Sequence, residues 1–179
     1  MKHISRITLM FIAASLLIGL SACSSLVKGN SDAEKLSNIA SDIADFDLPA
    51  GFKGVFSGSL AGYSAVGYSR GSGPSHIYLI QSEKETDGEK LAEMLSDIIP
   101  THRGPQIRGA MKVRDTRTVT VRGQETTLVI SEGINSEGLS YRQAMVTFPG
   151  NNGPALLVFS ESIANWDEVE LDNLLASIQ

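Results

Sequence analysis

The chain has 179 residues and carries 15 lysines and arginines against 20 aspartates and glutamates, a formal net charge of −5. An acidic chain is a poor candidate for non-specific nucleic-acid binding, which needs a basic surface. Hydrophobic residues at 42% and charged residues at 20% are typical of a folded globular domain and exclude a disordered stalk.

The first 22 residues predict a signal peptide. Lys2 and Arg6 form a basic start, and residues 7–20 are apolar apart from Thr8 and Ser15. This run is shorter than the about 20 apolar residues that a membrane-spanning helix needs. A basic start, a short apolar core and a small-residue cleavage site together are the pattern of a signal peptide.

The leader closes on Leu20-Ser21-Ala22-Cys23, which holds the only cysteine of the chain. This tetrad resembles the lipobox of bacterial lipoproteins; a signal peptide with a chance cysteine is the alternative. The resemblance implies that Cys23 is diacylated on sulfur, becomes the new N-terminus after cleavage and is N-acylated. Two or three acyl chains anchor a protein durably, whereas one chain is marginal. Ser24 resembles the outer-membrane sorting pattern, with the protein facing the periplasm of a Gram-negative host.

The predicted organisation is a signal peptide at 1–22, a lipidated N-terminus and tether at 23–30, and a single domain at 31–179. Without the 22 leader residues, 157 of the 179 remain, and 13 basic residues face 20 acidic ones, a net charge of −7. Once Cys23 is lipidated, no thiol remains for a disulfide, a cysteine-ligated metal or thiol catalysis. We predict a monomer without a cofactor.

Three stretches show the 3.6-residue apolar period of amphipathic helices. The stripes are Leu36, Ile39, Ala40 and Ile43; Leu91, Met94, Leu95 and Ile98; and Leu171, Leu174, Leu175 and Ile178. The predicted capping pairs are Ser31 with Glu34, Thr86 with Glu89, and Asn165 with Glu168. The acids of the last helix are expected on a solvated face, and Pro100 is expected to stop the middle helix.

Apolar alternation and short apolar runs predict strands between these helices. We predict a strand at 44–48, two strands with a tight turn within 52–73, a central strand at 76–81, and strands at 116–121, 126–131, 139–148 and 155–160. A surface loop is expected at 101–109, turns at 71–74, 122–123 and 135–138, and a type I′ hairpin turn at Asn151-Asn152-Gly153. Successive hairpins predict an α+β fold, a largely antiparallel sheet flanked by helices.

The order of these elements resembles a known plan. The run Asp47-Leu48-Pro49-Ala50-Gly51-Phe52, the mid-chain helix, the hairpins and the terminal helix from Trp166 to Ile178 are similar to the PsbP-like αβα sandwich over residues 42–179. Small bacterial envelope proteins share this plan. The resemblance implies a binding or assembly role rather than catalysis, which is an analogy at the level of fold.

Motifs for catalysis, metal binding and phosphate binding are missing from the sequence. His76 and His102 lie in no H-E-x-x-H pattern, residues 62–67 depart from G-x-S-x-G, and the glycines at 71–73 lead into no Gly-Lys-Ser/Thr. We therefore predict a non-enzymatic envelope protein without a metal. Two alternatives stay open: an envelope enzyme with dispersed residues such as His76 and His102, and a small-ligand binder that uses the glycine-rich first hairpin.

Charge is segregated along the chain. Residues 102–122 hold six basic residues and one acid, and residues 161–172 hold five acids and no base. A partner-binding basic segment of Arg103, Arg108, Lys112 and Arg114 would suit a lipid headgroup, a cell-wall polymer or an acidic protein face. The alternative is that strand alternation places Lys112 and Arg114 on one face and Arg117 on the other, so that no patch forms. The expected partners are the membrane, through the lipid anchor, and an envelope protein or cell-wall component.

Overall fold

The alternating apolar residues form one seven-stranded antiparallel sheet in the computed structural model, which describes residues 32–98, 111–135 and 138–179. Its strands are β1 (Lys53–Leu60), β2 (Tyr63–Ser69), β3 (His76–Ser82), β4 (Lys112–Val121), β5 (Gln124–Ile134), β6 (Ser140–Gly150) and β7 (Gly153–Ser162). The helices are α1 (Ala33–Ile43), α2 (Gly88–Ile98) and α3 (Glu168–Ser177). The predicted α+β class with a largely antiparallel sheet is confirmed. The leader, the tether, Pro100 and the loop at 101–109 lie outside the described residues.

Two hairpin series meet in the middle of the sheet, whose strand order is β1-β2-β3-β7-β6-β5-β4. The chain passes from β3 through α2 to the edge strand β4 and then returns strand by strand to β7, which pairs with β3. Every residue of β3 is buried, as are residues 155–161 of β7. The central positions predicted for these two apolar runs are confirmed, because only strands covered on both faces bury consecutive side chains.

The helices cover both faces of the sheet. Helices α1 and α3 share one apolar core with the sheet, to which they contribute Leu36, Ala40, Ile43, Leu171, Leu174, Leu175 and Ile178. Helix α2 packs on the other face, where Leu91 and Leu95 contact a second core that includes Tyr78, Ile80 and Val158. The predicted stripes are confirmed for all three helices, apart from Ile98, whose side chain is outside the described set.

The sheet has two chemically different ends. We call one end the tether end; β1, β3, β4 and β6 begin there. Helix α1 begins at the same end, as shown by its residue Leu36, which lies against Gly54 near the start of β1. The far end carries the three hairpin turns Ala61-Gly62, Arg122-Gly123 and Asn151-Asn152. Helix α1 finishes there, where the Asn151 N–H donates to the Ile43 carbonyl at 2.8 Å.

Aspartates cap the helices in place of the predicted residues. The Asp32 carboxylate accepts from the Glu34 N–H, Asp87 from the Lys90 N–H, and Asp167 from the Val169 and Glu170 N–H groups. Asp32, rather than Ser31, is the N-cap of α1, and the caps predicted at Thr86 and Asn165 are wrong by one and two residues. A carboxylate supplies both the acceptor and a full negative charge at the positive helix start.

The strand predicted at 44–48 is wrong. These residues join no strand of the described sheet and lie against the C-terminal residues 177–179. Asp45 and Gln179 exchange backbone hydrogen bonds of 3.3 and 2.8 Å, and the Asp47 N–H donates to the Ser177 hydroxyl at 3.0 Å. Phe46 packs edge-on against Tyr68 with ring centroids 5.8 Å apart. The alternation arose because Ala44 and Phe46 pack on the core while Asp45 and Asp47 are exposed; it ends at Leu48, which is 37% exposed.

The hairpin predicted at Asn151-Asn152 is confirmed, but its predicted type I′ turn is wrong. Both asparagines have negative φ, whereas Ala61-Gly62 and Arg122-Gly123 have the two positive φ angles of that type. The asparagine side chains cap α1 instead: Nδ2 of Asn151 donates to the Ser41 carbonyl at 2.8 Å, and Nδ2 of Asn152 to the Asp42 carbonyl at 3.0 Å. The carbonyls left free at the helix end therefore determine the conformation of this turn.

Candidate functional site

The residues singled out in the sequence are only partly brought together. Lys112 and Arg114 lie at the start of the edge strand β4, at the tether end, and His76 begins β3 at the same end. Cys23, His102, Arg103 and Arg108 lie outside the described residues. The proposed basic segment is therefore represented here by an exposed lysine and a half-exposed arginine.

Arg114 and Arg117 are both directed to the face that carries α3. A β-bulge interrupts the register between Val113 and Asp115, so the alternation that separated the two arginines is wrong. Arg117 donates to Asp172 of α3 at 2.8 Å and lies 3.6 Å from Glu168. Two acids of α3 thus neutralise Arg117, which belongs to the basic stretch at 102–122. Acidic and basic stretches that are separate along the sequence therefore meet in the fold.

Glu132 of β5 lies between two arginines. Its carboxylate accepts from Arg142 at 2.6 and 3.0 Å and from the Arg114 Nε at 2.6 Å. The hydrogen bonds from Arg142, followed by those from Arg114, lower the pKa of Glu132 below its usual value. The Arg142 guanidinium also lies 5.2 Å from the centre of the Trp166 ring, which packs on the α3 side of the sheet. These contacts hold the ends of β4, β5 and β6 together.

A second ionic cluster lies beneath the start of α3 and is built around one buried glutamate. Glu161 of β7 is fully buried and accepts from Arg70 at 2.8 Å and from the Ser75 hydroxyl at 2.5 Å. Arg70 also makes a bidentate pair with Glu170 of α3, at 2.7 and 2.8 Å, and lies 4.5 Å over the ring of Phe52. The bond to Glu170 is the main reason that the pKa of Arg70 is raised. The expectation that the acids of α3 are solvated is thus wrong for Glu170.

Polar residues also form a buried row on the α2 face. His76 pairs in register with Ser160, and Ser160 pairs with Gln143; all three are buried. Burial lowers the pKa of His76 and outweighs the opposing effects of the Gly73 backbone and Glu161. The Ser160 hydroxyl donates to the Pro74 carbonyl at 2.9 Å, so its proton is directed away from the histidine. This is not the pairing of nucleophile and base that activates a serine.

The glycine-rich first hairpin is closely packed. A Cβ atom added at Gly67 would meet Phe56 and Tyr78, and one added at Gly54 would meet Leu36. The cleft that missing side chains would leave there is filled by these neighbours. Gly54 of β1 and Gly67 of β2 thus allow close packing of aliphatic and aromatic side chains onto the sheet, whereas Gly58 of β1 faces open space.

A groove opens instead at the far end, where the sheet splits. Pairing of β5 with β6 stops at Leu128 and Val146, while β4–β5 and β6–β7 pairing continue to the turns. Two carbonyls of β6 are satisfied by side chains instead: Thr126 donates to Thr147 and Arg122 to Pro149, each at 2.8 Å.

The groove has a volume of about 570 Å³ and extends from this split to the start of α2. It is lined by Glu85, Thr86, Asp87, Gly88, Leu91, Gln124, Thr126, Thr147, Phe148, Pro149, Gly150, Gly153 and Pro154. Its size is that of a typical ligand or peptide site, and it combines apolar and hydrogen-bonding groups. No sequence pattern predicted this groove, because its residues come from four separate segments without a common motif.

The tether end carries exposed apolar side chains. Val113, Ile134, Leu139 and Ile163 are all more than two fifths exposed and lie at adjoining ends of β4, β5, β6 and β7. Single exposed apolar residues are ordinary, but a group at one end of a sheet indicates a contact surface.

Comparison with known proteins gave no relative: no protein-family model matches the chain, and no curated protein is significantly similar. Within residues 32–98, 111–135 and 138–179, no group of three or more His, Cys, Asp or Glu side chains is placed to hold a metal ion. None of the helices in the described part of the chain has the length and apolarity to span a membrane.

Proposed function

We propose that the protein is a lipid-anchored cell-envelope protein whose domain binds an extended segment of another envelope protein in the groove at the far end. The anchor is Cys23, supported by the basic start, the short apolar run and the lipobox-like tetrad of the leader. The role is binding or assembly without catalysis, at the periplasmic face of the outer membrane if the host is Gram-negative.

The split between β5 and β6 is the observation that carries the proposal. Strand addition needs backbone groups that a neighbouring strand leaves open, and past the end of β5–β6 pairing the Thr147 and Pro149 carbonyls accept from side chains of Thr126 and Arg122. An incoming extended segment can replace these two side-chain donors with its own N–H groups. Pro149 and Pro154 line the groove, are at least partly exposed and would contact its apolar side chains.

The position of the groove suits a protein that is anchored by its N-terminus. Helix α1 begins at the tether end, whereas the groove lies at the opposite end of the sheet. Strand β6 connects the two ends with 11 residues, a distance of roughly 35 Å at about 3.3 Å per residue. A lipid anchor at Cys23 would therefore leave the groove open to partners away from the bilayer.

The layered architecture supports the finer assignment to a PsbP-like αβα sandwich. Two helices on one face and one on the other, with a β3–α2–β4 crossover between hairpin series, agree with that plan. Such folds carry diverse functions, so the assignment adds only an analogy to the binding role.

Site-specific photocrosslinking tests this function in the cells that produce the protein. A photoreactive amino acid at Gln124, which is exposed and lines the groove, should give one adduct of defined mass. The same amino acid at Thr118, which is exposed on β4 outside the groove, is the matched control. Thr126→Arg, which fills the split, should abolish the adduct while the chain stays folded and membrane-bound. Equal labelling at both positions, or an adduct that Thr126→Arg leaves unchanged, would contradict the proposal.

A further inference from the structure

Four exposed apolar side chains lie at the tether end, and we call this group the rim. Ile134 and Val113 are 66% and 58% exposed, and Leu139 and Ile163 complete the rim on the neighbouring strands. The register places Ile134, Leu139 and Ile163 at nearly the same level, so these three side chains can meet one flat surface together. Val113 is opposite Ser131, three residues further into the sheet, and lies roughly 10 Å behind them at about 3.3 Å per residue. The rim follows the end of the sheet, because its members come from strand termini and not from one face.

The short tether determines what lies next to this rim. Helix α1 begins after Asp32 at the same end of the sheet, and only residues 24–31 separate Asp32 from Cys23. A fully extended chain spans at most about 3.6 Å per residue, so the nine steps from Cys23 to Asp32 reach at most roughly 32 Å. The tether end is then the end of the sheet that a bilayer holding the acyl chains of Cys23 reaches most readily.

Charge at this end is compatible with a lipid surface. The Glu132 carboxylate, which lies beside the rim, is neutralised by Arg114 and Arg142. Lys53 and Lys112 are exposed at the starts of β1 and β4 and would be attracted to anionic headgroups. Of the acids near the same end, Asp32 and Asp167 accept N–H groups at helix starts, and Glu168 lies 3.6 Å from Arg117. Glu34 and Lys35, both exposed on α1, carry opposite charges.

We infer that the tether end docks on the lipid surface, with Ile134, Leu139 and Ile163 at the level of the headgroups and Val113 behind them. This inference rests on the proposed anchoring through Cys23 and adds a fixed orientation to it. The domain then stands on the membrane with its strands steeply inclined to the surface, and the groove points away from the lipid. Apolar side chains flanked by lysines are the composition with which proteins bind membrane interfaces.

Lysine reactivity in the native sequence tests the orientation. The mature lipidated protein is reconstituted in vesicles of phosphatidylethanolamine and phosphatidylglycerol and treated with a membrane-impermeant amine-acetylating reagent. Peptide mass spectrometry then gives the rate at Lys112 relative to that at Lys84, which is exposed after β3 at the far end. The same ratio is measured for the Cys23→Ala protein in solution. We expect the ratio to fall several-fold on vesicles, and an unchanged ratio would overturn the inference.

Paired substitutions separate docking on the lipid from simple tethering. The double variant Ile134→Asp with Leu139→Asp should stay on the vesicles through Cys23 but lose the protection of Lys112. The double variant Thr118→Asp with Thr120→Asp, at exposed positions of β4 outside the rim, should keep that protection. Denaturant unfolding verifies that both variants fold. If Lys112 stays protected after both rim residues are charged, nearness to the bilayer explains the protection and docking is wrong.

Two further outcomes distinguish this inference from the proposed function. If Cys23 carries no acyl chain and the protein does not sediment with vesicles, anchoring and docking both fail. If the chain is acylated and vesicle-bound but Lys112 and Lys84 react as they do in solution, only the docking fails. Protection of Lys112 in the Cys23→Ala protein that rises with protein concentration would assign the rim to a second copy of the chain and would also overturn the inference.

Discussion

The two ends of the sheet are held together by different chemistry. At the tether end, charged side chains join segments far apart in sequence, as Arg70 does with Glu161 and Glu170. At the far end, tight turns and asparagine amides satisfy backbone groups, as Asn151 and Asn152 do for the last carbonyls of α1. A charge without its partner in the interior costs more free energy than one lost neutral hydrogen bond. Equivalent substitutions at the two ends should therefore have unequal effects on stability.

The largest expected effect is that of Arg70→Met. The substitution leaves the buried Glu161 carboxylate without its cation, and breaking a buried ion pair in this way lowers the free energy of unfolding by about 3–5 kcal/mol. Urea or guanidinium denaturation of the soluble domain measures the loss. The control is Arg117→Met, whose partners on α3 are exposed, and which should cost at most about 1 kcal/mol. Equal losses for the two variants would show that burial does not distinguish the two clusters.

Leu175→Ala tests the core that both ends share. Leu175 is 4% exposed in the stripe of α3, so its truncation removes apolar contacts, leaves a cavity and should cost about 2–5 kcal/mol. Val169→Ala is the matched control, because Val169 is 66% exposed on the same helix and should change stability by no more than about 0.5 kcal/mol. If both variants unfold at the same denaturant concentration, α3 is not a core element.

Asn152→Ala should have a smaller effect, at the far end. The substitution removes the amide that donates to the Asp42 carbonyl at the end of α1, a net loss of about 1 kcal/mol for one exposed or half-buried hydrogen bond. Asn165→Ala, at an exposed position after β7, is the control. Amide hydrogen exchange should speed up in the last turn of α1 for Asn152→Ala alone. Unchanged exchange there would mean that the turn does not cap the helix.

An effect of at most similar size concerns pH and the buried His76 at the tether end. Burial lowers the pKa of His76 in the folded protein, so below about pH 6.5 the unfolded chain binds a proton that the folded one does not. Stability should therefore fall as the pH drops below 6.5, by at most about 1.4 kcal/mol per pH unit from this group. His76→Gln should show a smaller fall between pH 7 and pH 5.5 in denaturant titrations. Parallel pH profiles for the two proteins would contradict the assignment.

Local patterns predicted most of the fold because its helices and strands are regular. The stripe from Leu171 to Ile178 and the double-sided apolar runs of β3 and β7 depend on side-chain period alone, and all were confirmed. The predicted N-caps were displaced by one or two residues because several adjacent polar residues could cap each helix. The observed caps Asp32, Asp87 and Asp167 are charged, whereas the predicted Ser31, Thr86 and Asn165 are neutral.

The features that sequence reasoning missed depend on contacts between distant residues. Arg70 meets Glu161 and Glu170 across 91 and 100 positions, and no spacing rule links them. The turn at Asn151 follows the end of α1, which lies 108 residues earlier at Ile43. Strand alternation predicted Arg114 and Arg117 on opposite faces of the sheet. The bulge at Arg114 places both on the same face, because one extra residue shifts the alternation in the rest of the strand.

The most direct test of the account is the chemical state of Cys23 in cells. Mass spectrometry of the mature N-terminal peptide, together with membrane fractionation, should find Cys23 as an acylated N-terminal residue in the membrane fraction. The Cys23→Ala protein should lack acyl chains and leave that fraction. An unmodified cysteine in the wild-type protein, or a Cys23→Ala protein that is still acylated and membrane-bound, would contradict lipid anchoring and with it the orientation of the domain.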